Sequence, residues 1–285
     1  MNIEEIIKQV LETKGSAFFY TPPIHKNSKC YHFKSPKKLF TSASCKTINS
    51  AITKFYNSIT SKSWGYCLID YEAGYCYEKK LQGYLKYNNK KIFQGFLFDK
   101  KNIKTISSKN IKICPVEEQL TVSSFKLNTS KKKYLSDIKK IKKYIEGGDT
   151  YQVNYTVKGK FKFNGDLVDL FKTLLFNQSA KYSAITNLGD KIIISFSPEL
   201  FFEQYGQKIK TSPMKGTISR GVNIREDELQ KYKLEKSEKD KAENLMIVDL
   251  LRNDLGRISQ YGKVEVRELF RIEKYESLYQ MVSDI

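Results

Sequence analysis

The chain has 285 residues and carries 50 lysines and arginines against 31 aspartates and glutamates, a net charge of +19 at neutral pH. Its 40% hydrophobic and 13% aromatic content can fill one large core or two modest ones, and 28% charged residues is a globular rather than a disordered balance. No apolar run approaches the roughly eighteen residues of a membrane span, and the acidic, amphipathic start MNIEEIIKQVLETKG is not a secretion signal, so a cytoplasmic protein with no membrane association is expected.

In chain order, the apolar spacing predicts a helix from Ile3 to Leu11, then a loop at Thr21-Pro22-Pro23. Short aromatic strands follow at Gly65 to Tyr71 and Lys91 to Phe98. Cys30, Cys45, Cys67, Cys76 and Cys114 are unevenly spaced and odd in number, with no C-x-x-C pair, and are read as reduced structural thiols. His25 and His32, the only histidines, lie far upstream of every other candidate group, which argues against a zinc site or a histidine-based triad.

Tyr134, Ile138, Ile141 and Ile145 recur at spacings of four, three and four, one face of a helix that Gly147-Gly148 should stop. The stretch 151-YQVNYTVKGKFKF-163 alternates and predicts a half-buried strand, with Gln152 and Asn154 on its polar face. Further strands are predicted at Lys191 to Ser197, Gln207 to Ser212 and Lys263 to Leu269, and helices at Glu226 to Lys236 and Ser237 to Leu251. Separate helices and strands without a βαβ rhythm predict an α+β fold, large antiparallel sheets flanked by helices. The expected division is an N-terminal α+β region, 1–125, with no assigned function, and a chemistry-bearing domain, 126–285. No G-x-G-x-x-G or Walker loop is present, which argues against a nucleotide enzyme.

Lysine runs such as Lys131 to Lys133 could bind phosphate electrostatically. Yet only six of the basic residues are arginine, none before Arg220, and base readout favours the arginine fork. A lysine-biased solvated surface is the better reading, no nucleic-acid partner is expected, and a non-catalytic nucleic-acid-binding protein is the rival from another class.

Three groups could carry chemistry. In 240-DKAENLMIVDLLRNDLGRIS-259, Asp240 and Glu243 share a helix face; the apolar run beyond them predicts a buried helix. These carboxylates are either ion-paired, as Asp249 could be with Arg252 or Arg257, or ligands for magnesium. Glu199, in 195-SFSPELFF-202, follows a strand and Pro198 in an apolar setting that would suit a general acid, or else points to solvent. Lys215 sits among Pro213, Gly216 and Gly221 in what reads as a turn, either as one more surface lysine or as a presented nucleophile.

Together the segments GDTYQVNYT (148–156), SPELFF (197–202), SPMKGTISRG (212–221), ENLMIVDLLRNDLGRIS (243–259), GKVEV (262–266) and YQMVS (279–283) resemble the chorismate-utilising enzymes: anthranilate, aminodeoxychorismate, isochorismate and salicylate synthases. They occur in the family's order over roughly 130 to 285. The isochorismate and salicylate branches look for a lysine where this chain has Gln152, so the resemblance implies the ammonia-using branch. Anthranilate synthases typically carry alanine in the P-x-A-G-T turn, whereas this chain has Lys215, as the aminodeoxychorismate branch does; the anthranilate branch is the nearest alternative.

The resemblance implies a mechanism: magnesium held partly by Glu243 with Asp240, Lys215 as covalent nucleophile, Glu199 as acid, and substrate contacts from Gln152, Gly216, Thr217 and Gln280. It implies chorismate as substrate and a glutamine amidotransferase subunit as ammonia donor. Gln280 stands where the anthranilate branch has histidine, which weakly supports the same branch. Family members continue for about a hundred residues past the position of Ile285, so the expectation is a C-terminally incomplete chain that cannot catalyse the reaction unaided.

Overall fold

The computed structural model describes residues 2–25, 28–85, 90–115, 120–178 and 180–285. Its contacts divide the chain into two compact units, Met1–Cys114 with Leu174–Ile285, and Pro115–Thr173. The division does not follow the expected boundary near 125, because N-terminal and C-terminal strands pair within the first unit.

That unit begins with α1 (Ile3–Glu12), whose N-terminus is capped by the Asn2 side chain accepting from the Glu4 N–H. Ile3, Ile6, Ile7 and Val10 give it one buried face. Next come β1 (Ala17–Tyr20), β2 (Lys29–Phe33), β3 (Lys38–Ser42), α2 (Ile48–Asn57), β4 (Ser63–Ile69), β5 (Phe93–Asp99) and β6 (Ile103–Ser107). The second unit holds β7 (Thr121–Leu127), α3 (Lys131–Glu146), β8 (Gly159–Asn164) and the start of α4 (Leu167–Asn177). The chain then returns to the first unit with β9 (Tyr182–Asn187), β10 (Ile192–Ser197), β11 (Leu200–Tyr205), β12 (Lys208–Ser212), β13 (Met214–Ser219), α5 (Ile224–Lys236), α6 (Glu238–Gly256), β14 (Glu268–Lys274) and β15 (Leu278–Asp284).

The antiparallel sheet β10-β9-β1-β2-β6 pairs N-terminal strands with strands from past the second unit, with Ala17 opposite Thr186 and Tyr20 opposite Ser183. A second antiparallel sheet, β3-β5-β4, lies against α2. Phe33, Tyr66, Phe96 and Phe98 cluster with Ala17 and Leu188 as one core. The Tyr66 hydroxyl, pushed above the ordinary tyrosine range by burial, is satisfied by the Gly15 carbonyl at 3.0 Å and Thr186 Oγ1 at 2.7 Å. Further on, β11 and β12 form a hairpin, and β13-β15-β14 a third antiparallel sheet with α5 and α6 against it. Considered alone, the second unit has the antiparallel pair β7–β8 and, between those strands in the chain, the lysine-rich α3, capped at its start by Ser130 and at its end by Gly147.

Several expectations change. Cys45 and Cys76 are disulfide-bonded, not reduced; sequence separation hid a pair that the fold brings together. Of the rest, Cys30 is buried, while Cys67 and Cys114 are exposed. The strand expected over 151–163 forms only from Gly159, and 151–158 is irregular and largely exposed. The strand expected from Lys263 begins at Glu268, after a Gly262 turn with φ of +72°. The helix expected to be buried, α6, buries only Asn244 and Val248, with Leu245 and Leu250 exposed.

Candidate active site

Lys215 lies on a strand, not in a turn: β13 runs through it against β15. Met214 pairs with Val282 and Thr217 with Gln280, so Lys215 and Gly216 together oppose the single residue Met281. This is a β-bulge, which re-aims side chains and suits glycine at the extra position. Gly216 has φ of +91°, and a Cβ there would stand 2.9 Å from the Asp240 Cβ. Only glycine lets the strand pass this close to α6. Lys215 is half-buried, and among the described residues nothing pairs with its amine.

Other predicted groups converge on this bulge. A Glu199 carboxylate oxygen accepts the backbone N–H of Met214 at 3.2 Å, one residue from Lys215. The expected apolar setting is not found, however: Glu199 is exposed, in the short link between β10 and β11. Thr217 donates its hydroxyl to Gln280 Oε1 at 3.1 Å across the β13–β15 pair. Asp240 packs on Gly216 from the first turn of α6, where Ser237 caps the helix by accepting the Asp240 N–H. Glu243 follows one turn later, half-buried. Gln152 belongs to the second unit, half-buried in the irregular stretch before β8, where its carbonyl accepts from Thr150.

Beneath the bulge lies an ionic frame that sequence reasoning missed. Asp284 accepts from Lys210 Nζ at 2.6 Å and from the Ser212 hydroxyl at 2.7 Å. Burial alone would raise its pKa, but those bonds and the charges of Lys210 and Arg271 hold it below the ordinary aspartate value. Past the strand, Arg220 grips both carboxylate oxygens of Asp227, which also accepts the Tyr279 hydroxyl at 2.8 Å. Arg220 holds the Asp227 carboxyl far below its usual range. Arg220 and Asp227 are only seven residues apart, but the turn that folds one onto the other carries no signal in composition.

Asp240 and Glu243 are carboxylates, the ligand type that a hard divalent cation takes, and the two would be at most a partial set. Among the described residues, no group of three or more His, Cys, Asp or Glu converges. Magnesium commonly takes one or two carboxylates with water and substrate oxygens completing its shell. Two cavities, about 550 Å³ by Glu72, Tyr75 and Tyr84 and about 560 Å³ by His25, Arg220 and Tyr275, contain none of the sequence-predicted groups. Among the described residues no helix is long and apolar enough to cross a membrane.

The chorismate binding enzyme family matches residues 30–285, and the chain belongs to that family. The match extends well upstream of the motifs from which the resemblance was read. Aminodeoxychorismate synthase component 1 of Klebsiella aerogenes is 38% identical over 172 residues, covering 60% of this chain and 38% of that relative. Anthranilate synthase component 1 of Bacillus subtilis is 35% identical over 189 residues, 66% of this chain and 36% of that relative. The matched stretch is thus under two-fifths of each curated relative's length. A solved structure described as a 2,3-dihydroxybenzoate-specific isochorismate synthase from Bacillus anthracis superposes with a TM-score of 0.71 at 14% identity, covering 99% of this chain and 69% of that one. The fold is that of the chorismate-utilising enzymes, α+β with antiparallel sheets.

Proposed function

We propose that this chain carries the lysine chemistry of an aminodeoxychorismate synthase component 1, which turns chorismate and ammonia into 4-amino-4-deoxychorismate. The observation behind this reading is the half-buried, unpaired Lys215 on the Gly216 bulge, with the Glu199 carboxylate bonded to the adjacent residue. In its neutral form the Lys215 amine attacks C2 of chorismate, both ring double bonds shift by one position, and the C4 hydroxyl leaves as water with a proton from Glu199. Ammonia then bonds to C4, both double bonds shift back, and the Lys215 amine departs from C2. Thr217, held by Gln280, and the open backbone of Gly216 would contact the substrate. A magnesium ion held by Asp240 and Glu243 would supply positive charge for a chorismate carboxylate.

Relatives named component 1 support a second component, and we assign it the glutamine amidotransferase role of delivering ammonia. The anthranilate synthase relative supports the nearest alternative within the family, and Lys215 is the feature that divides them. The test is product analysis of the full-length polypeptide with chorismate, magnesium and an ammonium salt. Aminodeoxychorismate should form, and Lys215→Ala should lower its rate roughly 100-fold or more. Anthranilate as product, or an indifferent Lys215→Ala, would overturn the assignment.

A further inference from the structure

The helix bearing Asp240 and Glu243 is fastened in an unusual way. Only two of its residues are fully buried, Asn244 and Val248, with Ile247, Leu251 and Leu255 half-buried beside them. Asn244 is 0% exposed, and both ends of its amide are used. Its Nδ2 donates to the Met281 carbonyl at 3.3 Å, and its Oδ1 accepts the Ser283 hydroxyl at 2.5 Å. The Ser283 oxygen in turn accepts the Phe270 N–H at 3.1 Å. Phe270 has φ of +60°, which a bulky residue seldom adopts, at the register slip between Glu268 and Arg271. One amide and one hydroxyl therefore tie together α6, β15 and β14.

The tie reaches the strand that pairs with the candidate site. Met281 is the residue opposite Lys215 and Gly216, and Gln280 beside it receives the Thr217 hydroxyl. Asp240 lies one turn before Asn244 on the same side of the helix, and Glu243 is its immediate neighbour. Successive helix residues are rotated by about 100°, so pinning Asn244 fixes the direction in which Glu243 leaves the helix. A slip of α6 would break two buried hydrogen bonds and leave their groups unsatisfied. Apolar packing is non-directional, so these two bonds fix the register more sharply than the half-buried apolar residues do.

We propose that Asn244 and Ser283 are positioning residues that orient the Asp240 and Glu243 carboxylates over the Gly216 bulge for a divalent cation; this rests on the site reading given above. The test measures Mn²⁺ affinity of the full-length polypeptide by the electron paramagnetic resonance signal of the free ion. Wild type is compared with Asn244→Asp, Asn244→Ala, Ser283→Ala and, to identify the site, Glu243→Gln. The magnesium concentration for half-maximal chorismate turnover and the thermal midpoint are followed alongside. Asn244→Asp keeps the acceptor for Ser283 and removes the donor to Met281, while Ser283→Ala spares the amide, so a folded variant is available even if Asn244→Ala unfolds.

We expect Glu243→Gln to abolish the Mn²⁺ site and the folded Asn244 and Ser283 variants to weaken it about tenfold, a usual cost of losing a group that orients a ligand. The magnesium requirement should rise in parallel, with the KM for ammonia unchanged. Folded variants that bind Mn²⁺ like wild type, even with lowered thermal midpoints, would show a purely structural role and overturn the proposal. A wild type without a Glu243-dependent Mn²⁺ site would overturn it too. If wild type binds Mn²⁺ but does not convert chorismate, the proposed activity fails while the Mn²⁺ comparison still decides the positioning role.

Discussion

In the N-terminal sheets, Phe18, Phe96 and Phe98 are wholly buried, and Phe33 and Tyr66 pack edge-on and stacked among them. Around Lys215 the construction differs. Phe201, Phe202 and Tyr205 of the neighbouring hairpin are exposed, α6 buries two residues, and order comes from hydrogen bonds and ion pairs such as those of Asn244, Asp227 and Asp284. Apolar packing is non-directional and tolerates small shifts, whereas a buried polar contact fails when its partner moves by an ångström. The difference suggests that stability resides mainly in the first region and geometry in the second.

The largest expected effect probes the first region. Phe98→Ala removes a fully buried ring lying 5.0 Å from Phe33 and 5.8 Å from Tyr66, centroid to centroid. It should cost about 4 kcal/mol of stability by urea unfolding, as large-to-small core changes do. Lys215→Ala should change stability by less than about 0.5 kcal/mol in the same assay, because its amine has no partner to lose. A Lys215→Ala loss as large as that of Phe98→Ala would erase the contrast.

Gly216→Ala sharpens it from the other side. The new methyl would meet the Asp240 Cβ at 2.9 Å with the backbone held at φ of +91°. Strain and overpacking together should cost about 2–3 kcal/mol. Because the clash is with α6 itself, any Glu243-dependent Mn²⁺ affinity should fall at the same time. Unchanged stability in urea titration would mean that the bulge relaxes freely and is not a fixed platform.

What was legible in the sequence follows the same division. Glu199, Lys215, Gly216, Thr217 and Gln280 were singled out from short motifs and the resemblance they carry, and the structure brings them to the paired strands β13 and β15 and the link before β11. The bulge itself was not legible: proline and glycines near Lys215 suggest a turn, and only the register with β15 shows a strand. Nor was the Cys45–Cys76 bond, since pairing across 31 residues depends on the intervening fold. Tyr151 to Val157 alternate as a strand does, yet no strand forms there, since alternation without a partner to receive it leaves the backbone irregular. Asn244 carried a weak signal, a polar residue four before Val248 on the face that proves to be buried.

The smallest effect concerns pH and returns to the aromatic sheets. His32 on β2 is 1% exposed, and among the described residues its Nε2 has no hydrogen-bond partner. Burial, with help from the charges of Lys34 and Lys104, pushes its pKa down to about 4 from an ordinary 6.5. Above pH 6.5 both folded and unfolded chains hold it neutral, and it costs nothing through protonation. Between pH 6.5 and 4 the unfolded chain binds a proton that the folded chain refuses, so stability falls as pH falls, and below pH 4 the loss is complete. The total is on the order of 2 kcal/mol, the full shift being reduced by local relaxation. Asp227 and Asp284, near Lys215, have lowered values, so their stabilisation is intact above their unfolded value of 3.8 and is lost only below it. The interval from pH 6.5 to 4 therefore isolates the N-terminal sheet. Urea unfolding at pH 7.5, 6 and 5 should show a slope that His32→Leu removes. A slope that survives the substitution would show that His32 is not its source.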